Sequence, residues 1–211
     1  MEIKNIVFDF GNVIMKYDVD GMLDRFSLTD SEKALFRESI FDSPLWADGD
    51  KGFGFRDVLF YDTLKTLPEK LREVFYSLVA GYDFEYRFMP YNDGIEKVIE
   101  ELKKNGYKIY LLSNIGLNFH FLVRLHPVFY GFDGFFPSCD YGLLKPDKEI
   151  YNTFFRRFSL DPAECLFVDD SIDNVNASNE SGMRAFTYNA MNEDIRVLRE
   201  RLRENGIKIG D

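Results

Sequence analysis

Four places in this 211-residue chain put residues capable of polar chemistry just after, or between, apolar runs. Asp9 follows the run Ile3–Phe8, Ser113 and Asn114 follow Tyr107–Leu112, and Asp169 and Asp170 follow Cys165–Val168. Lys145 stands in the loop Tyr141–Pro146. Three carboxylates gathered at one edge would repel one another and carry raised pKa values unless a cation neutralised them. A hard divalent ion such as Mg2+, which takes oxygen ligands, resolves that conflict. A hydroxyl, backbone amides and a lysine beside such an ion form a receptor for a tetrahedral dianion, the electrostatic setting of phosphoryl transfer. Asp9 is then the candidate nucleophile, able to attack phosphorus and form an aspartyl-phosphate. Singly, each residue has an ordinary reading, since an aspartate after a strand commonly caps a helix or forms a turn. Four polar signals in succession carry the weight.

The apolar runs read as buried strands, with a weaker one at Arg184–Thr187. Amphipathic stretches alternate with them. Gly94–Asn105 carries Ile95, Val98, Ile99 and Leu102 on one face, and Pro146–Phe158 places Ile150, Phe154 and Phe158 at spacings of four. Strands alternating with helices predict an α/β fold, a doubly wound parallel sheet whose ligands sit beyond the carboxyl ends of the strands. The gap between the first two strands far exceeds the ~30 residues of a βαβ unit. Within it, Thr29–Glu32 reads as a capping box, Phe55–Leu64 is apolar at helical spacing, and Pro68 opens Glu69–Val79. The expected organisation is a catalytic core of residues 1–16 and 89–211 with a small helical cap, 17–88, inserted over the strand ends. The competing reading makes those helices one more layer of a single core. The Arg- and Glu-rich stretch Asn192–Asn205 reads as a solvated helix.

Composition narrows the function. A net charge of −10 opposes a sequence-independent grip on nucleic acid. No apolar run approaches the ~18 residues that span a bilayer, and no secretion signal opens the chain, so a cytoplasmic protein without a membrane partner is expected. Two cysteines without a C-x-x-C pair exclude a disulfide framework, and two histidines exclude a multi-His metal site. Gly52-Phe53-Gly54 lacks the third glycine of a dinucleotide fingerprint and reads as a turn. Trp46 is either a lid residue over a substrate or a staple between insertion and core. Lys51, Arg56 and Arg87 could meet a substrate anion but read more simply as solvated cations, and Cys139 reads as a small buried hydrophobe.

The whole pattern resembles the haloacid dehalogenase superfamily, whose members are mostly metal-dependent phosphatases. The matching segments are Ile6-Val7-Phe8-Asp9-Phe10-Gly11-Asn12-Val13, Leu111-Leu112-Ser113-Asn114, Lys145-Pro146 and Phe167-Val168-Asp169-Asp170-Ser171-Ile172-Asp173-Asn174. The resemblance implies Asp9 as nucleophile, Ser113 and Asn114 as phosphate ligands and Lys145 as charge neutraliser. It also implies Asp170 as metal ligand with Asp169 beside it, and a ligand from the Gly11 backbone carbonyl. Most family phosphatases have a second aspartate where this chain has Gly11, a general acid and base worth about 10²–10⁴-fold in rate. Glycine there is similar to the subgroup containing glucose-1-phosphatase and to relatives of the phosphatase half of soluble epoxide hydrolase. Without that acid, easily expelled oxygens, such as the anomeric oxygen of a sugar 1-phosphate, should be favoured. The implied enzyme is a Mg2+-dependent phosphomonoesterase, monomer or weak dimer, acting on a small phosphorylated metabolite. The alternatives are a 2-haloacid dehalogenase-type hydrolase and an inactive relative that binds a phosphorylated ligand or partner. A signalling receiver domain is rejected because it would place its acidic pair before the phosphorylated aspartate.

Overall fold

The computed structural model describes residues 2–79 and 87–210. Its centre is a five-stranded, fully parallel sheet of order β3-β2-β1-β4-β5, with β1 Asn5–Phe8, β2 Lys108–Ser113, β3 Gly134–Pro137, β4 Cys165–Asp169 and β5 Arg184–Thr187. The inner strands are buried on both faces, which is why they read as continuous apolar runs rather than alternating ones. Successive side chains still go to opposite faces. Ile6, Phe8, Ile109, Leu111, Leu166 and Val168 enter one apolar cluster, whereas Val7, Tyr110, Leu112 and Phe167 enter the other. The helices Ile95–Lys104 and Ile195–Glu204 cover the first face through Val98, Leu102, Leu198 and Leu202. The helix Lys148–Phe158 covers the second through Ile150, Tyr151 and Phe154. This is the α/β doubly wound architecture expected from the sequence.

Several local expectations shift. β3 was not anticipated, because Gly134-Phe135-Phe136-Pro137 is short and ends in the proline that only an edge strand tolerates. Pro146 does not open its helix; Asp147 caps it by accepting from the Glu149 N–H at 3.0 Å. Phe55–Leu64 is two short helices, Arg56–Leu59 and Tyr61–Thr66, broken at Phe60. The Thr29 and Glu32 capping box is present, closing both reciprocal bonds.

The two ends of the insertion meet outside the sheet, where Met15 and Tyr91 form an isolated antiparallel bridge and the Lys16 N–H donates to the Pro90 carbonyl at 2.8 Å. Between them lies the insertion, mainly helical among its described residues, while 80–86 fall outside the described residues. Met22, Leu23, Phe36, Ile40, Phe60, Leu71 and Phe75 belong to the same buried cluster as the first sheet face. The insertion is thus packed onto the core through continuous apolar contact.

Candidate active site

The register of β2, β1 and β4 brings their carboxyl ends side by side, and the three ends deliver the candidate residues to one edge. Asp9 continues past β1, its N–H donating to the Val168 carbonyl at 2.9 Å. Ser113 and Asp169 are the last residues of β2 and β4, and all three are buried. Lys145, with a side chain only 1% exposed, reaches in from its loop to lie 2.8 Å from Asp9 Oδ1 and 2.6 Å from Asp169 Oδ2. The Asp169 approach is a hydrogen bond. The Asp9 approach is a buried ion pair in which the ammonium is the one partner found for Asp9 Oδ1 among the described residues.

These contacts separate the roles of the carboxylates. Asp169 is saturated: its Oδ1 accepts from the Ser171 N–H at 2.8 Å and from Asn174 Nδ2 at 2.9 Å, and its Oδ2 accepts from Lys145. It anchors the lysine. Asp170 accepts only from Asn12 Nδ2, at 2.9 Å, among its side-chain bonds to described residues, so one oxygen remains for a ligand. Asn12 can reach it because its backbone is left-handed, at φ 54°, a conformation asparagine tolerates better than most residues. The sequence reading quoted Asn12 and Asn174 within motifs but gave neither a task.

Burial, followed by the Asp169 and Asp170 charges, pushes the Asp9 carboxyl well above the usual carboxylate range despite Lys145. Burial likewise raises Asp170, against the Asn12 hydrogen bond. Burial works to lower the Lys145 pKa, but Asp169 and Asp9 outweigh it and hold the ammonium charged. Oxygens of Asp9, Asp169 and Asp170 lie within 4.8 Å of one another. Three clustered carboxylates with a single ammonium between them, two of them with raised pKa values, are what a hard cation would relieve, so the donor set fits a divalent ion. Gly11, whose backbone carbonyl the resemblance implies as a further ligand, lines the same cavity.

Asn114 also lines the cavity, but its side chain is already engaged. Its Oδ1 accepts from the Lys145 N–H at 2.8 Å and its Nδ2 donates to the Lys145 carbonyl at 3.0 Å. The amide fixes the lysine loop, which leaves the Asn114 main chain, with the Ser113 hydroxyl, to meet an anion. A cavity of about 230 Å³ connects these groups to Tyr17, Trp46, Asp50, Arg56, Met89 and Ile115. Of the three cations singled out in the insertion and its margin, only Arg56 is there. It is 8% exposed, stacks on Trp46 at 3.9 Å, and bonds Asp50 Oδ1 at 3.0 Å and Asn118 at 3.3 Å. Lys51 pairs loosely with Asp48 at 3.8 Å, and Arg87 is exposed. Trp46 lines the cavity, and its ring packs on Phe41, 4.8 Å away, within the same insertion. Gly52 adopts φ 79°, and a Cβ there would meet the Cys139 carbonyl oxygen at 2.1 Å, which makes it the expected turn and a close contact between insertion and core. Cys139 is buried and its thiol is pushed up to about 12, chiefly by burial, which suits an inert hydrophobe.

A buried carboxylate at the end of the central parallel strand, a buried lysine and a paired acidic loop meet at one edge of the sheet. The chain belongs to the haloacid dehalogenase-like hydrolases, whose family model matches residues 3–182. D-ribitol-5-phosphate phosphatase of Bacteroides thetaiotaomicron is 28% identical over 87% of this chain and 91% of its own length. Sesquiterpene phosphatase astK of Aspergillus oryzae is 38% identical over 41% of this chain and 44% of its own length. The chain thus spans less than half of astK, and 36% of drimenol cyclase drtB of Aspergillus calidoustus. In fold, it matches a HAD family enzyme of Bacteroides thetaiotaomicron, solved with magnesium and inorganic phosphate, with TM-score 0.65 and 22% identity over 93% of this chain and 98% of that one. Among the described residues, no helix is long and apolar enough to cross a membrane.

Proposed function

We propose that this protein is a cytoplasmic, Mg2+-dependent phosphomonoesterase in which Asp9 is the nucleophile and the helical segment 17–88 is a substrate-selecting cap. The observation that carries the reading is the cluster of Asp9, Asp169 and Asp170 oxygens within 4.8 Å of one another at the end of the sheet, with Lys145 paired to two of them. An Asp9 oxygen attacks phosphorus, the ester bond breaks, and the phosphoryl group rests on Asp9 until water releases it. Ser113, the main chain at Asn114 and Lys145 hold the phosphoryl oxygens. When bound, the metal supplies the positive charge that draws the dianion toward an anionic nucleophile. Metal-free dehalogenation is disfavoured by the cost of three clustered carboxylates.

The cavity's size and its mixed aromatic and polar lining suit a small phosphorylated metabolite. Glycine at position 11 supports kinship with the glucose-1-phosphatase subgroup and, through that kinship rather than through leaving-group acidity, a sugar 1-phosphate as the narrower substrate reading. Phosphate release from a mixed panel of phosphate monoesters tests the proposal. Activity should require Mg2+, vanish with chelator, and vanish in Asp9→Asn, whose nearly isosteric side chain keeps the fold. Turnover by Asp9→Asn at the wild-type rate would refute the assignment.

A further inference from the structure

Gly11 offers no proton to the departing oxygen, yet the same cavity contains a carboxyl group with no assigned task. Asp50 closes the helix Pro44–Asp50 of the insertion, is 9% exposed, and lines the cavity together with Asp9, Ser113 and Lys145. Its place is fixed from both sides. The Ser138 hydroxyl donates to the Asp50 carbonyl at 2.6 Å while accepting from the Ile115 N–H at 2.9 Å, so Asp50 is one relay from the loop that carries Ser113 and Asn114. Arg56, which holds Asp50 Oδ1, also bonds Asn118 beyond the same loop. That leaves Oδ2 as the atom to carry a proton.

We propose that Asp50 is the general acid and base of this hydrolase, acting from the insertion in place of the position occupied by Gly11. The proposal rests on the phosphomonoesterase reading. As the bond from Asp9 to phosphorus forms and the ester P–O bond breaks, the electron pair stays on the leaving oxygen, which takes the Asp50 proton and departs as an alcohol. In the second step the Asp50 carboxylate takes a proton from water. The water oxygen bonds to phosphorus, the P–O bond to Asp9 breaks, and inorganic phosphate and the Asp9 carboxylate are restored.

The surroundings poise Asp50 for both states. Burial pushes its carboxyl up to about 6, against Arg56, which pulls it down. The charged or titratable groups facing it are Arg56 and the Cys139 thiol. A phosphate dianion arriving in the cavity adds a negative charge and raises it further, favouring the protonated form in the complex. The adjacent guanidinium stabilises the carboxylate after transfer. With Asp50 in this role, the preference for acidic leaving groups that Gly11 would impose is relaxed in the wild type and emerges in full once Asp50 is removed.

The test is a leaving-group series on the full chain with Mg2+, comparing wild type, Asp50→Asn and the double change Asp50→Asn with Gly11→Asp. Asparagine keeps the shape and an oxygen for Arg56. Position 11 can take a side chain, since its Cβ would meet nothing within 4 Å and its φ is not positive. In Asp50→Asn, kcat/KM for alkyl phosphates should fall by about 10²–10⁴-fold while aryl and acyl phosphates stay within about threefold. The decline of wild-type kcat/KM for alkyl phosphates as pH rises through the Asp50 titration should disappear. Gly11→Asp should restore alkyl phosphate turnover. An equal loss for every leaving group, or unchanged alkyl turnover, would overturn the proposal. If wild type releases no phosphate from aryl or acyl phosphates, the phosphatase reading itself fails, an outcome separate from a failed ratio between substrate classes.

Discussion

Replacing Lys145 by alanine tests the electrostatic core of the site. The ammonium sits 2.8 Å from Asp9 and 2.6 Å from Asp169. At an effective dielectric of ~20, each contact corresponds to about 6 kcal/mol of Coulomb energy. Much of that is cancelled by the cost of burying a lysine, and removing one partner of a buried pair typically destabilises by about 3–5 kcal/mol. The Lys145→Ala protein should therefore lose about that much at pH 7.5 without metal. The Asp9 and Asp170 carboxyls, deprived of the ammonium that lowers both, will have folded-state pKa values raised further above their unfolded values. A raised folded pKa means stability that is present at low pH and lost as pH rises through it. The deficit relative to wild type should accordingly be largest near neutrality, shrink toward pH 5, and shrink also on adding Mg2+, which substitutes for part of the missing charge. Urea unfolding at pH 5 and 7.5, with and without Mg2+, measures all three effects. The same variant should lose at least about tenfold in kcat/KM, or about 1.4 kcal/mol of transition-state stabilisation. A variant as stable as wild type at pH 7.5, or one with a pH-independent deficit, would show that the lysine does not neutralise these carboxylates.

Asp170→Ala should leave the fold intact but raise the Mg2+ concentration needed for half-maximal phosphate release by at least about tenfold, because it removes the carboxylate with a free oxygen. A Mg2+ titration with an unchanged midpoint would exclude it from the metal shell. Trp46→Ala removes the ring on which Arg56 stacks, so it should change the relative rates among sugar phosphates rather than lower all of them in proportion. A uniform scaling across the panel would reduce Trp46 to a packing residue.

Asp9, Ser113 and Asp169 were visible in the sequence because a polar residue at the end of a buried apolar run has few structural uses, and the parallel alternation of strands and helices placed those ends together. Asp170 was visible by adjacency. Other features were hidden because they depend on partners distant in the chain. Nothing local separates Arg56 from Lys51 or Arg87; only the approach of the 113–118 loop turns one of three similar cations inward. Asn114 has the right type for a phosphate ligand, and only the return of the Lys145 loop reveals that its amide is otherwise occupied. Asp50 carried no motif, and its neighbour Gly52 was legible as a turn but not as a contact with Cys139. β3 escaped because four residues ending in proline show neither alternation nor length.

The reciprocal bonds between the Asn114 amide and the Lys145 main chain have a consequence for how such a protein can change over time. A side-chain amide standing in for a peptide group joins two loops as neighbouring strands are joined, so the anion-facing groups are assembled when the chain folds and owe nothing to the shape of any one substrate. On the proposed reading, the side chain that meets the rest of a substrate is Trp46 of the insertion, which takes no part in the bonds between those two loops. A lineage built this way can acquire new substrates by altering inserted side chains other than Asp50 and its partner Arg56, while the anion-facing assembly stays as it was.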